Sequence, residues 1–194
     1  MEEIKDVMDV VFILDRSGSM KGVESDTIGG YNGYLDSMRG KKALVTTILF
    51  DHEYKVLVDR VNINNVPKLS KKTYKARGAT ALLDAIGKTI IHLDKLNPKK
   101  VLFIITTDGE ENSSVEYNKS QIKELIEGHS NWEFIYLGAD IDSYSEAGDI
   151  GIRQDRISNY SKKHTIGLFN KLKNLTCMFE ADEITDDWKA GLEE

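Results

Sequence analysis

The sequence predicts an α/β fold: three layers, α-β-α, around a mostly parallel central sheet with one antiparallel edge strand. Three observations carry this. Val10–Leu14 (VVFIL) and Val101–Thr107 (VLFIITT) are nearly continuous apolar runs, as strands buried on both faces of a parallel sheet require. Stretches with helical spacing alternate with such runs, which places helices on both faces of the sheet. Finally, Ala43–Phe50 (ALVTTILF) is separated by only Asp51-His52-Glu53 from the partly alternating Tyr54–Val61 (YKVLVDRV). So short a turn makes an antiparallel pair, and the alternation marks an edge.

The elements follow in order. Val10–Leu14 is the first strand. From Val23, apolar residues recur through Ile28, Tyr31, Leu35 and Met38 as a helix stripe, with Gly40 as its stop. Gly29 and Gly30 weaken that helix by about 1 kcal/mol each relative to alanine. The hairpin Ala43–Val61 follows. Asn62–Gly78 shows no long element, although Val66–Tyr74 has room for a short helix. Ala81–Leu96 is helical, with Leu82, Ala85, Ile86, Ile90 and Leu93 facing inward, and Asn97-Pro98 ends it. Val101–Thr107 is a strand, Tyr117–Glu127 a helix stopped by Gly128, and Trp132–Leu137 (WEFIYL) a strand. Asp142–Asp149 is a short helix and Ile157–Tyr160 a last, weak strand. From Lys162 the stripe Ile166, Phe169, Leu172 and Leu175 predicts a final helix. Residues 1–180 read as one domain, and 181–194 as an acidic segment, helical or frayed, that Trp188 anchors back or leaves as a solubilising tail.

Composition limits the function. The chain has 194 residues, 40% hydrophobic, enough for one sizeable core, and a formal charge of −6. That balance argues against nucleic-acid binding, which calls for a strongly basic face. The single cysteine, Cys177, forms no internal disulfide and reads as a buried structural thiol beside Met178 and Phe179. No run approaches the roughly 20 apolar residues of a membrane span. The N-terminal segment carries no signal-peptide core, so a cytoplasmic location is expected.

Ligands of open α/β sheets bind at the carboxyl ends of the strands. Asp15, Ser17 and Ser19 follow the first strand in FILDRSGSM, and Asp108 follows VLFIITT. If these strands are parallel neighbours, two carboxylates and two hydroxyls converge. Close carboxylates repel unless a cation lies between them, and hard oxygen donors of this kind suit Mg²⁺. Alternate residues of an extended stretch share a side, so Asp15, Ser17 and Ser19 face one point while Arg16 turns away. On spacing alone, a second reading stands beside this one: Asp15 and Ser17 cap the next helix.

FILDRSGSM, Gly78-Ala79-Thr80-Ala81-Leu82 and ITTDGEEN (Ile105–Asn112), in that order, resemble the three signature loops of von Willebrand factor A-like domains. The resemblance covers about Met8 to Leu175. It implies a Rossmann-like sheet with one antiparallel edge strand and a metal-ion-dependent adhesion site. It also implies that Ser17, Ser19 and Thr80 supply hydroxyls to the metal and that Asp15 and Asp108 hold it, often through water. Asn62–Gly78, 17 residues, is then the return path that carries Thr80 from the edge strand back to the metal face. Ala79 stands where the family often has a second glycine. The sequence shows no sign of the disulfides and additional domains common in extracellular members, so cell adhesion is not expected from the resemblance.

The expected function is a Mg²⁺-dependent protein-interaction module, with Mn²⁺ or Ca²⁺ as other candidates, whose ion takes an Asp or Glu carboxylate of another protein. The alternative is a Mg²⁺-dependent phosphoester hydrolase. It lacks support in the sequence: aspartyl-phosphate hydrolases place a second aspartate where Ser17 stands, and no nucleophile–base pair is evident. Around the metal, Glu110, Glu111 and Asp140 are either rim residues or ordinary loop and cap acids. Lys68, Lys71, Lys72, Lys75 and Arg77 are either a solvated face or a basic flank, with Lys72 and Lys75 steering an acidic partner.

Overall fold

The computed structural model describes residues 7–139, 142–161 and 165–189. Its centre is a six-stranded sheet in the order β3-β2-β1-β4-β5-β6. The strands are β1 (Met8–Asp15), β2 (Ala43–Phe50), β3 (Tyr54–Asn62), β4 (Val101–Thr107), β5 (Trp132–Ala139) and β6 (Ile157–Tyr160). All neighbours are parallel except β2 and β3, the expected antiparallel edge.

Alternation along β1 divides its side chains between two cores. Val10, Phe12 and Leu14 pack on one face with helix α1 (Glu24–Met38) and helix α5 (Thr165–Glu180). Val11 and Ile13 pack on the other with α2 (Leu82–Asp94), α3 (Lys119–Gly128) and α4 (Ser143–Asp149). With both faces covered, β1 and β4 are buried at every residue, which is why their sequences run apolar without a break.

Helix boundaries follow local chemistry. The expected helix from Tyr117 starts at Lys119, because Asn118 and Gln121 form a reciprocal cap. Asp142 caps α4 through the Ser145 N–H. The expected helix at Val66–Tyr74 is not formed. Pro67 lacks the N–H a helix would use, and the segment is held instead by tertiary contacts. Asn32 of α1 bonds both the N–H and the carbonyl of Leu69, at 2.8 and 2.9 Å. Val66, Leu69 and Tyr74 are buried in the α1/α5 core. Cys177 is half-buried against that core, less enclosed than expected. Beyond α5, Trp188 is buried, and its indole N–H donates to the Asp155 carbonyl at 2.8 Å. Ile166 shares α5, but its side chain lies outside the described set, as do residues 190–194. Among the described residues, no helix is long and apolar enough to cross a membrane.

Candidate metal centre

The strand order changes direction between β1 and β4. From β1 the chain moves outward to β2 and β3, and from β4 outward the other way to β5 and β6. Loops leaving the carboxyl ends of β1 and β4 therefore part and leave a crevice, the usual ligand position of such sheets. Asp15 ends β1, and Asp108 follows β4.

The five expected donors meet there. The Ser17 N–H donates to Asp15 Oδ1 at 2.6 Å, which folds the loop back over the carboxylate. The Ser17 and Ser19 hydroxyls lie 2.9 Å apart. Ser19 Oγ donates to Asp108 Oδ1 at 2.6 Å. Thr80 joins them at Gly109, where a side-chain carbon would stand 2.8 Å from Thr80 Oγ1, 3.3 Å from Ser19 Oγ and 3.6 Å from Ser17 Oγ. Gly109 thus keeps open the small space that three hydroxyls border. Asp15, Ser17, Thr80 and Asp108 are buried, while Ser19 is exposed at the mouth.

This donor set fits a hard divalent cation. Neighbouring ligands of a Mg²⁺ octahedron with bonds of about 2.1 Å stand roughly 3 Å apart, the spacing of the two serine oxygens. All five side chains offer oxygen, and two bring charge. Among the described residues, no cluster of three or more His, Cys, Asp or Glu side chains is placed to hold a metal. The candidate centre differs in kind, because most of its donors are neutral hydroxyls. Burial pushes the Asp15 carboxyl up to about 6, with Asp108 adding to the rise and hydrogen bonds from Thr107 and Ser17 opposing it.

The return segment carries Thr80 into place as the sequence implied. The Gly18 N–H donates to the Gly78 carbonyl at 3.0 Å, and the Arg77 N–H to the Arg16 carbonyl at 2.7 Å. Gly78 has φ 71°, and a side-chain carbon there would strike the His52 ring. The Tyr74 hydroxyl donates to the Asp15 carbonyl from below. Arg16 does turn away: it pairs with the buried Asp51 at 3.0 Å, and Arg77 reaches the same carboxylate at 2.9 Å.

Several organising residues are not among the expected donors, although Thr107 and Asn112 lie within the ITTDGEEN loop. Thr107 Oγ1 donates to Asp15 Oδ2 at 2.6 Å. Asn112 Oδ1 accepts from the Thr80 N–H at 2.9 Å, and the Asn112 N–H returns to the Thr80 carbonyl at 3.0 Å. Asp84, buried at the start of α2, accepts from the N–H groups of Val115, Glu116 and Tyr117. For Asp84 the only sequence signal is position, an acid in the first turn of a helix.

The expected rim divides. Glu110 is exposed beside Asp108. Glu111 spends its carboxylate on the N–H groups of Leu83, Ser113 and Ser114 and on the Ser114 hydroxyl, so it ties the β4 loop to α2. Asp140 lies outside the described residues. Lys72 and Lys75 are exposed on the return segment.

No protein-family profile matches the chain, and no curated protein does. Solved structures do. Proximal thread matrix protein 1 from the mussel byssus is 14% identical, with a TM-score of 0.68 over 89% of this chain and 46% of that one. Another structure of that protein has a zinc-occupied metal-ion-dependent adhesion motif. The manganese-loaded TRAP protein of Plasmodium vivax is 22% identical, with a TM-score of 0.62 over 84% of this chain and 72% of that one. The von Willebrand factor domain of the pilus tip protein Mfa5 from Porphyromonas gingivalis is 10% identical, with a TM-score of 0.69 over 93% of this chain and 99% of that one. The chain spans about half the length of the mussel protein. Its fold is that of von Willebrand factor A domains.

Proposed function

We propose that this chain is a divalent-metal-dependent protein-interaction module. Asp15, Ser17, Ser19, Thr80 and Asp108 would hold Mg²⁺, with Mn²⁺ or Ca²⁺ admissible, and the ion would take an Asp or Glu carboxylate from another protein. The observation that carries the reading is the convergence of three hydroxyls on the space kept by Gly109, between two carboxylates. Hydroxyls ligate without adding charge. Two carboxylates roughly balance a divalent ion, and where water stands between them and the metal its electrophilicity survives at an open position. The manganese and zinc held by structural neighbours support a divalent ion in this fold.

A catalytic role has weaker support. Among the described residues, His92 and His129 bond carboxylates, and His52 lies against Asp51, Glu53 and Gly78. None of the three is paired with a serine or cysteine nucleophile.

The test combines metal titration with capture. Calorimetry should detect one divalent ion per chain, and capture from native lysate should require it. Chelator or Asp108→Ala should abolish both signals. Capture that survives chelator and Asp108→Ala would sink the reading. Magnesium-dependent turnover of a generic phosphoester, lost in Asp15→Asn, would replace it with the hydrolase.

A further inference from the structure

We propose that the cleft beside the candidate metal centre receives additional acidic side chains of the same partner, so that the module reads an acid-rich segment rather than a lone carboxylate. This rests on the carboxylate-binding reading above and specifies the partner's chemistry.

The cleft lies where two ligand-bearing segments diverge. One runs from Ser19 to the start of α1 at Glu24, and the other arrives from Lys71 through Lys75 to Thr80. Between them is a space of about 410 Å³ lined by Glu24, Ser25, Lys71, Tyr74, Lys75 and Ala76. Tyr74 links this space to the candidate centre: it lines the cleft, and its hydroxyl bonds the main-chain carbonyl of Asp15.

Charge gives the cleft its selectivity. Of the basic residues in the return segment, Lys68 pairs with Asp36, and Arg77 with Asp51 and Glu53. Lys71, Lys72 and Lys75 are exposed and have no ion pair among the described residues. A chain of net charge −6 thus keeps three lysines without an ion pair among the described residues within residues 71–75, on the segment that leads to Thr80. Glu24 is the one acid in the lining, and its carboxylate accepts the Gly22 N–H at 2.7 Å. Two lysines against this single acid leave the lining positive.

Distance sets the reach. Lys75 precedes Thr80 by five residues, at most about 18 Å of extended chain. A partner strand covers the same span in about five residues. Acids within that range of the metal-bound carboxylate can occupy the cleft. A protein segment is the occupant because one chain can bring both the metal-bound carboxylate and the further acids, whereas nucleic acid calls for a strongly basic face that a chain of net charge −6 lacks.

The experiment uses the full chain with Mg²⁺ and two fluorescent peptides of Ser, Gly and Gln. One carries a single central Glu, and the other carries further Glu residues three and five positions to either side. At low salt the acid-rich peptide should bind about tenfold tighter, an advantage lost at high salt and in Lys71→Glu/Lys75→Glu. Both lysines are exposed, so that variant should fold, and at high salt, where their field is screened, it should bind the single-Glu peptide unchanged. Equal affinity for the two peptides, or an advantage that persists in the variant, overturns the cleft and leaves the metal reading standing. Lysine-dependent binding that persists in chelator overturns the metal reading and keeps the cleft. Failure of both peptides to bind with Mg²⁺ overturns both. If an oligothymidylate displaces the acid-rich peptide better than unlabelled peptide does, the assignment to an acidic protein segment is overturned.

Discussion

Asp15 bears the heaviest electrostatic demand in the candidate centre. Its folded-state pKa, pushed up to about 6, exceeds the ordinary value of 3.8, first because the carboxyl is buried. Between about pH 4 and 6 the metal-free folded chain therefore keeps a proton that the unfolded chain releases. Stability contributed by a raised carboxyl is present below the unfolded value and is lost as pH climbs to the folded one, here from about 4 to about 6. The full loss is on the order of 3 kcal/mol. A divalent ion favours the ionised carboxylate and offsets the loss. In chelator, the melting temperature should carry a downward component between about pH 4 and 6 that Asp15→Asn lacks. With saturating Mg²⁺, the wild-type melting temperature should separate upward from the chelator curve as pH rises. Comparison with Asp15→Asn isolates this residue from Asp9, whose carboxyl is also raised by burial. Parallel pH profiles for wild type and Asp15→Asn would refute the assignment.

Helix α1 shows how a weak local signal can hide a packing requirement. Glycines at 29, 30 and 33 are poor helix formers, yet Glu24–Met38 is one continuous helix. At Gly30 a side-chain carbon would stand 2.2 Å from the Phe169 ring of α5, so the glycine lets the two helices close over β1. Tyr34 and Thr176 bond across the same contact at 3.0 Å. Gly29 and Gly33 have nothing within 4 Å. Gly30→Ala should lower the denaturation free energy by about 1–3 kcal/mol through displacement of the ring. Gly29→Ala and Gly33→Ala should raise it by up to about 1 kcal/mol each. Urea midpoints of the three variants separate these outcomes, and a stabilising Gly30→Ala would reject the packing account. The same contrast explains what the sequence made legible. Strands such as VVFIL are set by burial on two faces, which leaves a direct mark in composition. Residues 66–77 are set by contacts from elsewhere, Asn32 on Leu69 and Tyr74 beneath Asp15, and no local pattern encodes them. For the candidate centre, the convergence of the five side chains could be read from loop position and motif. The roles of Asp84 and Glu111, which hold the β4 loop, could not, because all but one of their partners, the Ser114 hydroxyl, are main-chain N–H groups without sequence identity.

The donors come from three segments that the fold alone brings together: residues 15–19 after β1, Thr80 before α2 and Asp108 after β4. Main-chain bonds lock the segments to one another, Gly18 to Gly78 and Asn112 to Thr80 at 3.0 Å each, and Arg16 ties the first of them to Phe50 at the end of β2 at 2.8 Å. An unfolded chain cannot assemble this set, so an ion bound there should stabilise the whole molecule rather than one loop. For a ligand that binds only the folded state, the gain is about 2.7 kcal/mol at one hundred times Kd, and about 1.4 kcal/mol for each further tenfold rise. The urea midpoint should therefore climb with the logarithm of Mg²⁺ concentration while the slope of the transition stays constant, since the surface exposed on unfolding is unchanged. Asp108→Ala should remove the dependence, whereas Lys71→Glu/Lys75→Glu should keep it, because the lysines serve the partner and not the ion. A shift that saturates early with a falling slope would mean that the ion orders only part of the chain. The centre would then be a local clamp on the β4 loop instead of the point where both halves of the sheet are joined.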